Sequence, residues 1–277
     1  MPTSSSLSIN ELEKLKGVIL TSRLKKIPVT SEYELLRVKD DKISIIVYKS
    51  GKIVYENNPE TMRIIDQIFV TETTYDYELG SDEVGKGEWY GPLVVVCAAL
   101  DSGDLKELRK LGVKDSKQLS NNEIQRLSKE IQKRKIFWHP LILSPLTYNK
   151  QVEIFKKENK NINELLAWAH SAAIKKLIER LEYNSLHVVI DKFDVEKTYR
   201  RLEGIDRKKV KIIQKSKGET EIPVAAASIL AKNIFNEDVD KMCKAFGMDF
   251  RKIDPKEVPK DILRQVAKLH FKNIPKQ

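Results

Sequence analysis

The chain has 277 residues, 41% hydrophobic and 32% charged, with a formal net charge of +10 and a pI near 9.3. That is enough apolar material for one large domain or two unequal ones, and it excludes a disordered chain. Two cysteines, Cys97 and Cys243, and the scattered histidines His139, His170, His187 and His270 exclude a disulfide framework and a zinc site.

Taken in chain order, the N-terminus is polar and carries no signal pattern, and the longest apolar run is too short to span a bilayer. The expectation is a cytoplasmic protein with no membrane partner. Leu12, Leu15 and Ile19, with Glu11, Lys14 and Lys16 between them, predict an amphipathic helix from about Leu7 to Leu24. Ile43, Ile45 and Val47 alternate, and beyond Lys49-Ser50-Gly51-Lys52 a strand through Ile53 and Tyr55 completes a hairpin. Asn58 caps a helix with Pro59 in its first turn and Met62, Ile65 and Phe69 on its apolar face. Together these make a small helix-sheet-helix unit, and the polar run Thr71 to Asp76 marks a domain boundary.

Gly80-Ser81-Asp82-Glu83-Val84-Gly85-Lys86-Gly87 then sets two adjacent carboxylates against a Gly-X-Gly turn. Leu93 to Leu100, the most apolar run, follows as a buried strand closed by Asp101-Ser102-Gly103. Asp104 to Leu111 is a short helix ended by Gly112, and Ser120 with Glu123 forms the capping box of a helix running to about Arg134. Ile136 to Leu143 reads as a strand. Tyr148 to Tyr183 is helical with a break near Asn159 to Asn163, and Leu166, Ala169, Ala173, Leu177 and Leu181 form a core stripe. Leu186 to Ile190 is an apolar strand that delivers Asp191 at its C-terminal end, where ligand sites gather in sheets flanked by helices. Val210 to Ile213 is a further strand. Pro223 opens a helix that carries Glu237 and Asp238, and Lys260 to Phe271 reads as a final amphipathic helix.

Acids on apolar strands face a desolvation penalty unless a cation binds them. For carboxylates without His or Cys that cation is hard and divalent, and Mg²⁺ is usually held by a few carboxylates plus water and substrate phosphate. Two such ions about 4 Å apart activate water and stabilise the leaving oxygen of a phosphodiester. This fits a basic chain, whose charge attracts nucleic acid.

Gly80 to Gly87, Lys114-Asp115-Ser116-Lys117-Gln118-Leu119-Ser120, Ile190-Asp191 and Val224 to Lys232 stand in the order and approximate spacing of the type 2 ribonucleases H. The chain resembles that family, and within it the ribonuclease HIII branch. Tyr48 to Tyr55 looks like the hairpin of the TATA-binding-protein-like domain that precedes the nuclease there, and Val266 to Phe271 resembles the branch's C-terminus. The resemblance covers nearly the whole chain. It implies an α/β fold: a ribonuclease-H-like mixed sheet flanked by helices over residues 73–277, preceded by a small α+β TATA-binding-protein-like substrate-binding domain over residues 1–72.

The implied reaction is endonucleolytic cleavage of the RNA strand of RNA/DNA hybrids, leaving 3′-hydroxyl and 5′-phosphate ends, by a monomer using Mg²⁺ or Mn²⁺. Asp82, Glu83 and Asp191 take the places of metal-binding catalytic acids. The resemblance puts the fourth on the helix after the Ala-Ser-Ile motif, where Glu237 is chosen and Asp238 competes. Gly85, Lys86 and Gly87 match the turn whose backbone recognises ribose 2′-hydroxyls, with Lys86 where many relatives carry Thr or Arg. Ser116 and Lys117 match residues that contact backbone phosphate. Two other readings stand beside this one: cleavage at single ribonucleotides in duplex DNA, and a hybrid-binding protein with a silent nuclease site. Adjacent strand residues point to opposite faces, so Asp82 and Glu83 share a site only if the strand ends or twists at the glycines.

Overall fold

Alternating apolar residues build the first of two units, formed by Met1–Thr74 and Ser102–Lys114. The structure, a computed structural model, describes residues 2–275 apart from 8, 23, 70–73, 192–193 and 217. The boundary expected between residues 72 and 73 lies outside the described residues. Strands β1 (Pro2–Ser6), β2 (Lys26–Ile27), β3 (Glu34–Lys39), β4 (Ser44–Tyr48) and β5 (Lys52–Glu56) form an antiparallel sheet in the order β1-β5-β4-β3-β2. Helices α1 (Ile9–Thr21) and α2 (Pro59–Ile68) pack Leu15, Ile19, Ile65 and Ile68 into one core with Ile45 and Ile53 of the sheet. Asn58 caps α2 as expected, its side chain accepting from the Thr61 amide at 2.8 Å. Helix α3 (Ser102–Lys110) also belongs to this unit, where Arg109 pairs with Glu11 and lies over the Phe69 ring. Strand β1 gave no sequence signal because Thr3 to Ser6 are all polar. It forms by pairing with β5.

The second unit, Tyr75–Asp101 with Asp115–Gln277, carries the chemistry-bearing residues. Strands β6 (Tyr77–Val84), β7 (Leu93–Leu100), β8 (Phe137–Leu143), β9 (Leu186–Asp191) and β10 (Val210–Lys215) form a mixed sheet in the order β10-β9-β6-β7-β8. The arm β10-β9-β6 is parallel, while β7 and β8 run antiparallel. Its helices are α4 (Asn121–Lys133), α5 (Pro145–Lys157), α6 (Ile162–Ile178), α7 (Val195–Arg201), α8 (Ile222–Phe246) and α9 (Lys260–Val266). Every residue of β7 is buried, which is why its sequence is continuously apolar rather than alternating.

Two helices sandwich the central strand β6. On one face α6 packs Leu166, Ala169 and Ala173 into the core with Leu79 and Val95. On the other, α8 lies directly against β6. A Cβ at Gly80 would sit 2.1 Å from backbone atoms of Pro223 and Val224, so only glycine permits this approach. The final helix is shorter than expected, ending at Val266 instead of Phe271. Beyond it Ala267 bridges to Tyr90, and the Lys268 ammonium donates to the carbonyls of Glu88, Tyr90 and Gly91.

Candidate active site

Asp82 and Glu83 occupy the last turnless stretch of β6, and the pleat sends them to opposite faces. Asp82 is in register with Val96 and turns toward α8, where the Ser228 hydroxyl hydrogen-bonds to it. Glu83 turns toward α6, where it accepts a 3.1 Å hydrogen bond from His170 Nε2. Asp191 ends β9. The last paired position between the two parallel strands is Ser81 with Ile190, so Asp82 and Asp191 each stand one residue beyond it, at the C-terminal ends of these neighbouring interior strands. Asp191 Oδ1 accepts from the Gly218 amide at 2.9 Å, which ties it to a short 3₁₀ turn over Gly218–Thr220.

The electrostatics of the two neighbours diverge. Burial, then the adjacent charge of Glu83, push the Asp82 carboxyl up to about 6, against the Ser228 hydrogen bond that favours its ionised form. Burial also acts on Glu83. The hydrogen bond and charge of His170 and the charge of Lys86 outweigh it and hold that carboxyl below the usual range. Lys86 Nζ lies 3.8 Å from Glu83 Oε1.

Among the described residues no group of three His, Cys, Asp or Glu side chains is drawn together tightly enough to hold a metal ion. The donor chemistry at Asp82 nevertheless fits one. Its carboxylate is ionised only at a cost, and its side-chain hydrogen-bond partner is the Ser228 hydroxyl, which suits a hard divalent cation.

His170, read from sequence as incidental, is fully buried and bonded at both ring nitrogens, to Glu83 and at 2.8 Å to Ser81 Oγ. No local spacing signals it, because its partners lie 87 and 89 residues away. Ser116 is buried as well, and its hydroxyl bonds Ser228 Oγ at 2.7 Å. It is therefore turned inward, behind the residue that holds Asp82, and not outward toward a phosphate as expected. Lys117 is exposed, beside the Asp115 cap of a one-turn 3₁₀ segment. Gly85 has φ +95° and is crowded by the Pro92 carbonyl and the Phe235 ring, whereas Gly87 and Lys86 are exposed.

Glu237 is not brought to the other acids. It lies nine residues past Ser228 on α8, which is half a revolution around and about 13 Å along the axis. It is exposed, and its carboxylate accepts from Asn233 Nδ2 at 2.8 Å. Asp238 is paired with Lys241 at 3.0 Å. A different acid, Glu219, follows Gly218 in the 3₁₀ turn that binds Asp191.

A mixed sheet with a parallel arm, helices on both faces and acids at the C-terminal ends of the arm's strands defines a ribonuclease-H-like nuclease. The profile of the ribonuclease HII family matches residues 79–273. The ribonuclease HIII of Chlamydia abortus is 31% identical over 298 residues, spanning 99% of this chain and 94% of that one. That of Phytoplasma mali is 32% identical over 287 residues, spanning 99% and 97%. The crystal structure of Bst ribonuclease HIII in complex with Mn²⁺ superposes with a TM-score of 0.63 at 23% identity, covering 99% of this chain and 96% of the other. The chain belongs to the ribonuclease HII family, in its ribonuclease HIII branch. The family and fold expected from the four ordered motifs are thus borne out.

Proposed function

We propose that the chain is an endoribonuclease that cleaves the RNA strand of RNA/DNA hybrids and leaves 3′-hydroxyl and 5′-phosphate ends. The carrying observation is the placement of Asp82 and Asp191 at adjoining strand positions, beside the glycine turn that follows β6. Asp82, Glu83 and Asp191 would hold Mg²⁺ or Mn²⁺, which when bound supplies an activated water and stabilises the leaving oxygen.

The chain's own groups do the rest. Ser228, backed by Ser116, fixes the Asp82 carboxyl, and the Gly218 amide fixes that of Asp191. The tight turn at Gly85 presents the backbone of Lys86 and Gly87 to solvent, where it would meet ribose 2′-hydroxyls. Lys117, exposed, would meet phosphate. We assign the fourth carboxylate to Glu219 in place of Glu237, because its backbone adjoins the amide that binds Asp191. The N-terminal unit would hold the duplex. Free cysteines, one of them deep in β7, are consistent with a cytoplasmic compartment, and we take the working form to be a monomer.

A cleavage assay that offers a long hybrid against a duplex with one embedded ribonucleotide tests the substrate. Preferred cutting of the hybrid is expected, and preferred cutting at the single ribonucleotide would replace this reading with a ribonuclease HII-type one. In the same assay Glu219→Gln should abolish cutting while Glu237→Gln keeps it, and the reverse order would return the fourth position to Glu237.

A further inference from the structure

The pleat of β6 leaves a problem for the proposed site. Asp82 faces α8 and is short, and Ser228 with the Glu83 backbone amide settles it. Glu83 faces α6, on the other side of the sheet, and its longer side chain loses more rotamer freedom when it is fixed. For both to serve one cation, Glu83 must be held at the strand end from behind.

His170 is placed to do that. It comes from the middle of α6, on the side that also buries Ala167, Ala169 and Ala173, and is itself fully buried. These small neighbours leave room for a ring against the sheet. Nε2 reaches Glu83 Oε2 at 3.1 Å and Nδ1 reaches Ser81 Oγ at 2.8 Å. An ionised carboxylate only accepts, so Nε2 carries the proton whether the ring is neutral or charged. Ser81, two residues before Glu83 and on the same face of β6, holds the opposite edge of the ring. The imidazole is therefore fixed at both ends by one strand. It takes Oε2, while Oε1 lies 3.8 Å from Lys86 Nζ at the strand end.

We propose that His170 is the positioning residue of Glu83, with Ser81 setting its orientation, so that a Ser-His-Glu chain on the α6 face of the sheet aims the second carboxylate of the metal pair. This rests on the reading of Glu83 as a metal-holding acid. A buried histidine with a purely architectural part would need partners too, but it would not need one of them to be the carboxylate beside Asp82.

Mn²⁺ titrated calorimetrically into the whole protein, without nucleic acid, tests the idea apart from turnover. Glu83→Gln should weaken Mn²⁺ binding, and His170→Ala should weaken it by about 10- to 100-fold, the range that partners of metal ligands usually cost. Ser81→Ala should give a smaller loss. His170→Gln should recover most of the affinity, because its amide nitrogen reaches the Nε2 position, and His170→Asn should not, because its amide ends near Nδ1. In hybrid cleavage, kcat should fall with the Mn²⁺ affinity while KM for the hybrid stays unchanged. Wild-type affinity in folded His170→Ala with a weakened Glu83→Gln overturns the positioning alone. Wild-type affinity in both overturns the metal-holding reading of Glu83 and the positioning with it. If His170→Ala does not fold, the Gln and Asn variants decide, and equal losses in the two overturn the proposal.

Discussion

Asp82 binds its proton more tightly in the folded chain, at about 6, than the 3.8 of an unperturbed aspartate, because burial and then Glu83 disfavour its charge. Between those two values the folded state holds more protons than the unfolded one, so stability falls as pH rises through that window and levels off above it. The full effect is on the order of 3 kcal/mol. Metal-free Asp82→Asn should therefore melt several degrees above wild type at pH 8 and no higher at pH 4. Thermal unfolding in chelator across that range checks this, and parallel melting curves for the two proteins would contradict it. At this scale the strand positions of Asp82, Glu83 and Asp191 were legible, since carboxylates on apolar strands stand out. His170 and the inward turn of Ser116 were not, because each depends on a partner that only the folded sheet supplies. Glu237 was chosen from its place after a motif, and helical phase turns it half a revolution away from Ser228.

At the scale of elements, glycines set how closely α8 approaches β6 and how β6 leaves the sheet. Gly80→Ala would push a Cβ into the Pro223–Val224 backbone at 2.1 Å, so it should cost about 3 kcal/mol or more and displace Ser228 from Asp82. Gly87 has nothing within 4 Å of its absent Cβ. Gly87→Ala should stay within roughly 0.5 kcal/mol of wild type in denaturant unfolding and yet raise KM for hybrid. Equal stability losses in the two variants would contradict this division between a packing glycine and a substrate-facing one. Helix caps and alternating strands were readable, and the Asn58 cap and the Ser120–Glu123 box form as expected. The tail helix was overextended because Lys268 fits an amphipathic pattern. In the fold it is fully buried under carbonyls 177 to 180 residues away, so its chain must leave the helix.

Across the whole molecule, the net charge of +10 has to be spent on particular surfaces if it is to hold a duplex. In the N-terminal unit the helices cover one face of the sheet, and the other presents Arg37, Ile46 and Val54 in one row, with Lys39 and Lys52 exposed on that side. If this face meets phosphate, Lys39→Ala with Lys52→Ala should weaken hybrid binding and reduce the slope of log affinity against log salt by up to about 1 for each lost contact. An unchanged slope would remove the face from the interface. The polar run near residue 72 falls outside the described residues, and the place of α3 in the first unit had no sequence signal, because it depends on Arg109 meeting Glu11 and Phe69.

The central claim is that the acids at the C-terminal ends of β6 and β9 perform metal-dependent hybrid cleavage. Its most direct test is the rate of RNA-strand cutting in Mg²⁺ and in Mn²⁺ by wild type and by Asp191→Asn, with folding verified. The account predicts metal-dependent cutting by the wild type and a loss in the variant beyond the roughly 10- to 100-fold that partners of metal ligands cost. Cutting by Asp191→Asn at the wild-type rate would contradict it.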